Sequence, residues 1–209
     1  MEHLQRKFNE NDLEIFKGNL ESRMKNLVGW IDKKVKRVQW GNEEISQKFT
    51  KRSAQEILTD GSVGFMNPCN DLTLVAWALL KKNKLNPELI AKKIKWKKNN
   101  FVSMHFALEF MDNNALFSLE FATKNQAILS RGEYIMKDDR VEMMQMDKIK
   151  NDIGFDQNME SVLTGHIDLT DFNFEKIVEQ LQKDNTLENY SNYNKSLPNK
   201  GTLYLDLNI

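Results

Sequence analysis

The sequence predicts an α+β domain in which a central, cysteine-bearing helix packs on an antiparallel sheet, with helices ahead of it. Three observations point there. Apolar residues recur at steps of three and four between Asp12 and Val38. An apolar helix with little polar relief opens at Asn67-Pro68. Strict apolar alternation from Phe101 to Phe110 is followed by a turn-like Met111-Asp112-Asn113-Asn114 and a second apolar run from Ala115 to Phe121. A chain of 209 residues, 40% apolar, suffices for one domain with a substantial core. It divides into a helical part over 1–60, a core over 61–150 and a C-terminal helix and returning strand over 151–209, with no repeat or Pro-rich linker.

Along the first helix, Leu13, Phe16, Leu20, Met24, Leu27, Ile31, Val35 and Val38 form one face, with Asn11 or Asp12 as cap. Trp40-Gly41-Asn42 breaks the pattern, and a second helix is expected from Glu43 to Leu58, capped by Asn42. Thr59 to Gly64 reads as a loop, without the Lys-Ser or Lys-Thr ending of a phosphate loop. Asn67 then caps a helix with Pro68 at its first position, and Leu72, Val75, Ala76, Leu79 and Leu80 make a wide apolar stripe that frays near Lys81-Lys82-Asn83.

From Asn86-Pro87-Glu88 to Trp96 the pattern fits a helix or a strand. In the hairpin that follows, Val102, Met104, Phe106, Leu108 and Phe110 share one face, and Ser103, His105, Ala107 and Glu109 the other. A four-residue turn pairs Phe110 with Ala115 and sets His105 directly opposite Glu120. Gln126 to Leu129 and Val141 to Met146 extend the sheet, with turns at Ser130-Arg131-Gly132-Glu133 and Lys137-Asp138-Asp139-Arg140. A helix capped by Thr170 or Asp171 runs to about Lys183, and Asp184 to Lys200 is an Asn-rich excursion. Leu203, Leu205 and Leu207 mark a last strand.

Thirty basic and thirty acidic side chains cancel, so no global field draws the chain to nucleic acid or an anionic membrane. The runs Lys33–Arg37 and Lys92–Lys98 read as solvated faces. One cysteine excludes an internal disulfide framework and suits a reducing compartment. Met1 to Lys7 has no apolar signal core and no segment has the length of a membrane span, so a cytoplasmic protein is expected. One Cys and three scattered His lack ligand spacing, so neither metal nor cofactor is expected. Met143, Met144 and Met146 read as core filler.

Cys69 is the second residue of the central helix, where free backbone amides and the positive end of the helix dipole favour the nucleophilic thiolate. His105 is the central histidine, since His3 is terminal and His166 lies in a polar segment. Glu120 could hold one imidazole nitrogen and leave the other for the sulfur, giving nucleophile, base and orienting residue. The Cys69 amide is one candidate oxyanion donor, with Asn67 or Ser62 as a second.

The order of these residues resembles a known family. A Cys opening a hydrophobic helix, a His 36 positions later in a strand and an acid 15 positions further on resemble the transglutaminase-like branch of the papain-like cysteine enzymes. Cys69-x-Asp71 and His105-Phe106-Ala107-Leu108-Glu109 carry the local likeness, with Ala107 where that strand has Trp and Glu120 in place of the usual Asp. The resemblance spans roughly Ser62 to Asn125. It implies a papain/transglutaminase-like fold, Cys69 as nucleophile, His105 as base and Glu120 as third residue.

The expected function is therefore a thiol-dependent hydrolase or acyltransferase acting on peptide, amide or isopeptide bonds, with a peptide or protein substrate. The alternative is a non-catalytic protein-binding or scaffold domain on the same fold. Nucleic-acid binding through the two basic runs ranks third.

Overall fold

The structure, a computed structural model, describes residues 15–48, 51–64, 68–97, 102–122, 126–135, 141–149 and 202–206. Four helices and eight strands are present among them, confirming the α+β class.

Helix α1, Leu20–Lys34, buries Met24, Leu27, Val28 and Ile31. It is shorter than the apolar period suggests. Gly18 takes a left-handed φ of 98°, and Asn19 caps the helix by accepting the Ser22 N–H at 2.9 Å. The caps expected at Asn11 or Asp12 lie outside the described residues. At the other end Val35 is extended and Lys36–Val38 becomes strand β1, paired in parallel with β2, Ser62–Gly64. Strand pairing takes the backbone bonds that another helical turn would have used, although Val35 and Val38 fit the helical period.

The helix expected from Glu43 to Leu58 is two helices, α2 at Asn42–Lys48 and α3 at Ala54–Asp60. Ser53 accounts for the division. Its hydroxyl accepts the Glu56 N–H at 3.1 Å while Glu56 accepts the Ser53 N–H at 2.7 Å, a reciprocal cap that starts a new helix. Gly61, with φ 62°, ends α3, and the expected loop over Ser62–Gly64 is instead β2.

Helix α4, Pro68–Lys82, has the span its sequence predicts. Every residue from Cys69 to Leu80 is buried. That burial includes three polar side chains, so Asn70, Asp71 and Thr73 need partners inside the protein. The Trp77 indole donates to the Pro87 carbonyl at 3.0 Å, fixing the far end of α4 beside the sheet.

The sheet contains β3 Glu88–Trp96, β4 Val102–Asp112, β5 Ala115–Ala122, β6 Gln126–Arg131, β7 Val141–Ile149 and β8 Thr202–Asp206. Its order is β7-β3-β4-β5-β6-β8. The segment that fitted either helix or strand is the strand β3. All neighbours are antiparallel except β6 and β8, so the expected wholly antiparallel sheet is corrected to a mixed one with a parallel edge. Leu89, Leu108, Leu119 and Leu129 lie in one register row and are buried on the α4 side with Phe106 and Phe110. The opposite face is also closed over Ile90, Ala107 and Tyr134. The helix expected through Lys183, the Asn-rich segment and the Lys137–Arg140 turn lie outside the described residues.

A buried ion pair anchors the start of α4. Arg52 and Asp71 are 6% and 2% exposed, and Arg52 Nη2 donates to Asp71 Oδ2. Arg52 Nη1 donates to Asp60 Oδ2 at 2.8 Å and to the Ser62 carbonyl at 3.0 Å, joining α3, β2 and α4. Its guanidinium lies 4.8 Å from the Trp40 ring centroid. Gly64 admits that ring, because a Cβ there would stand 2.4 Å from Trp40 Cε3. Burial pushes the Asp71 carboxyl up, and the Arg52 charge and hydrogen bond oppose the shift.

Breaking one side of this pair strands a charge in the core. We predict that Arg52→Met costs about 3–5 kcal/mol, and that adding Asp71→Leu recovers most of the loss, as measured by urea unfolding. Equal instability in the single and double variants would refute this account.

Candidate active site

Three elements supply the site. Cys69 is the second residue of α4, His105 belongs to β4 and Glu120 to β5. The structure joins His105 to Glu120 directly, and Cys69 acts on the same imidazole electrostatically. His105 Nε2 lies 2.9 Å from Glu120 Oε2. The influence of the Cys69 side chain favours the protonated form of the ring. Nε2 is engaged by the carboxylate, which leaves Nδ1 as the other ring nitrogen.

The register that produces this contact differs from the expected one. The turn consists of Asn113 and Asn114 alone, and Asp112, not Phe110, pairs with Ala115. Ala107, not His105, is therefore directly opposite Glu120. The cause is the turn geometry: Asn113 and Asn114 have φ of 48° and 62°, the two successive positive angles of a tight hairpin turn that asparagine tolerates. Because the shift is two residues, His105 and Glu120 stay on the same face. They meet as diagonal neighbours, a separation of about 7–8 Å between backbones that long side chains bridge.

Tyr134 completes the group and was not singled out by sequence reasoning. Its hydroxyl donates to Glu120 Oε2 at 2.7 Å, and its ring stacks on His105 with centroids 5.8 Å apart and planes at 30°. Its backbone N–H donates to Glu109 Oε1 at 2.7 Å. Gly132, with φ 93°, turns the chain out of β6, and its N–H donates to the Leu116 carbonyl at 2.8 Å. The only sequence signal was that glycine in the expected Ser130–Glu133 turn. The turn lies later than expected, since β6 continues through Arg131.

Arg37 was also missed, having been read as part of a solvated run. It is half-buried on β1, beside Val63 of β2. Burial lowers its guanidinium to about 10 against the opposing charges of Asp32 and Cys69, leaving it cationic at neutral pH and close enough to act on the thiol electrostatically. Of the two further oxyanion candidates, Ser62 lies on β2 with its carbonyl held by Arg52. Asn67 lies outside the described residues.

Burial alone would lower the basicity of His105. The hydrogen bond and charge of Cys69, followed by those of Glu120, outweigh it and raise His105 to about 10. Burial and the Glu120 charge raise the Tyr134 phenol well above its ordinary range, keeping it a donor. Among the described residues no cluster of three or more His, Cys, Asp or Glu could hold a metal ion. Nor is any helix among them long and apolar enough to cross a membrane. Compared with protein-family models and with curated proteins, the sequence matches none.

The His105 shift links stability to pH. An unfolded histidine titrates near ~6.5, and the folded group holds its proton to about 10. The contribution is therefore fully present below ~6.5 and is lost as pH rises through the folded value. We predict that the urea midpoint of the protein falls toward that of His105→Gln between pH 7 and 10, whereas a constant gap would contradict the shift.

Proposed function

We propose that the protein is a thiol-dependent hydrolase or acyltransferase acting on peptide, amide or isopeptide bonds, with Cys69 as nucleophile. What supports this reading is a buried imidazole hydrogen-bonded to a carboxylate and acted on electrostatically by the thiol at the start of α4. His105 is 7% exposed, so the pair works in a poorly hydrated setting where charge interactions are strong. The order of helix, strand and strand supports membership of the transglutaminase-like branch of papain-like enzymes, and a peptide or protein is the substrate class that chemistry suits.

In the first half-reaction the Cys69 thiolate attacks the substrate carbonyl carbon and a C–S bond forms. The His105 imidazolium gives its proton to the leaving nitrogen as the C–N bond breaks, and a thioester remains on Cys69. Glu120 stabilises the imidazolium before that transfer and holds the ring in place. Neutral His105 then takes a proton from water or an acceptor amine as it attacks the thioester, and the thiolate departs. Backbone amides at the start of α4, beginning with that of Cys69, face the developing oxyanion, and the Arg37 cation favours negative charge on the sulfur.

Iodoacetamide labelling near neutral pH tests the reading. We predict that Cys69 reacts rapidly, and that His105→Ala and Glu120→Gln each slow the reaction by at least about tenfold, consistent with loss of acid–base assistance. Native Cys69 reacting like an ordinary free thiol would overturn it and favour a non-catalytic binding domain.

A further inference from the structure

Two arms of Tyr134 converge on the imidazole–carboxylate pair. The phenol occupies the same Glu120 oxygen that His105 Nε2 contacts, and the ring covers the face of that imidazole. We propose that Tyr134 is a positioning residue that sets the strength and direction of the His105–Glu120 hydrogen bond. This rests on the thiol-site reading above.

His105 and Tyr134 share one acceptor. Glu120 Oε2 receives Tyr134 at 2.7 Å and lies 2.9 Å from His105, so the two donors divide the electron density of one oxygen. A phenol kept protonated is a permanent donor there. It stabilises the carboxylate and moderates its pull on the imidazolium proton. His105 can then release that proton to a leaving group, instead of being held too tightly by an undivided carboxylate charge.

The delivery of Tyr134 is equally specified. It is 3% exposed although it follows the end of β6 rather than lying within a strand. The turn at Gly132 brings it over the sheet, and buried Glu109 fixes its backbone N–H. Glu109 lies on β4 two residues beyond Ala107, whose register partner is Glu120. The strand that carries the imidazole thus also anchors the residue stacked on it.

The test follows the downfield Nε2–H proton resonance of His105 in the full chain at neutral pH, together with Cys69 alkylation by iodoacetamide. Tyr134→Phe keeps the ring and removes the phenol donor. The expected result is a folded protein whose His105 resonance moves downfield, with Cys69 alkylation no slower than in the wild type, because an undivided carboxylate holds the imidazolium beside the thiolate more firmly. Incorporating 3-fluorotyrosine at position 134 keeps the shape and makes the phenol a stronger donor, so the resonance should move upfield. This second replacement decides the matter if Tyr134→Phe fails to fold. A residue that merely fills space predicts no shift with either replacement, and that result would overturn the proposal. Wild-type alkylation separates the two readings: ordinary free-thiol kinetics would reject the thiol site, while the resonance shifts would still judge the control of His105 by Tyr134.

Discussion

The hydrogen bond between His105 and Glu120 is the interaction on which the site depends. Both side chains are removed from most solvent, at 9% and 14% exposure, and a carboxylate placed there without a donor would be costly. Glu120 has two hydrogen-bond partners, His105 and Tyr134, and His105 has the carboxylate on Nε2 and feels the charge of Cys69. Each group makes burial of the next tolerable. Polar side chains in such a chain hold one another in a fixed geometry, which is what a reacting thiol needs from its neighbours.

Much of the surrounding protein positions this chain. Helix α4 has no solvated face through Leu80, so its N-terminus cannot be set by surface contacts. The Arg52–Asp71 pair sets it instead, tying the first turn to α3 and β2. Trp40, packed on Arg52 and pressed against Gly64, places β2 directly before the cysteine segment. Asp71 therefore serves the site through structure, two residues from the thiol. The parallel pairing of β1 with β2 likewise brings Arg37 out of a basic run and toward Cys69.

How much of this was legible depended on how local the cause was. Helix α4 could be read because Asn67-Pro68 and the apolar run act over a few residues. The division between α2 and α3 was also local, but the Ser53-x-x-Glu56 cap was outweighed by the apolar residues on both sides. The hairpin was legible in kind but misaligned by two residues, because the four-residue turn hid the ability of two successive asparagines to take positive φ. Parity rescued the contact: a two-residue error preserves the face, and Glu120 still reaches His105. Tyr134 was beyond local reading, since its role follows from the order β4-β5-β6 and from a turn that carries it back over the sheet. Arg37 was hidden in the same way by a parallel pairing across intervening helices.

The central claim is that Cys69 accepts an acyl group with the help of His105 and Glu120. Intact-mass measurement after exposure to p-nitrophenyl acetate tests it most directly. The account predicts a single acetyl increment on Cys69, released by hydroxylamine and strongly reduced in both His105→Ala and Glu120→Gln. Absence of a Cys69 acetyl adduct in the wild type, or equal acetylation in all three proteins, would contradict it.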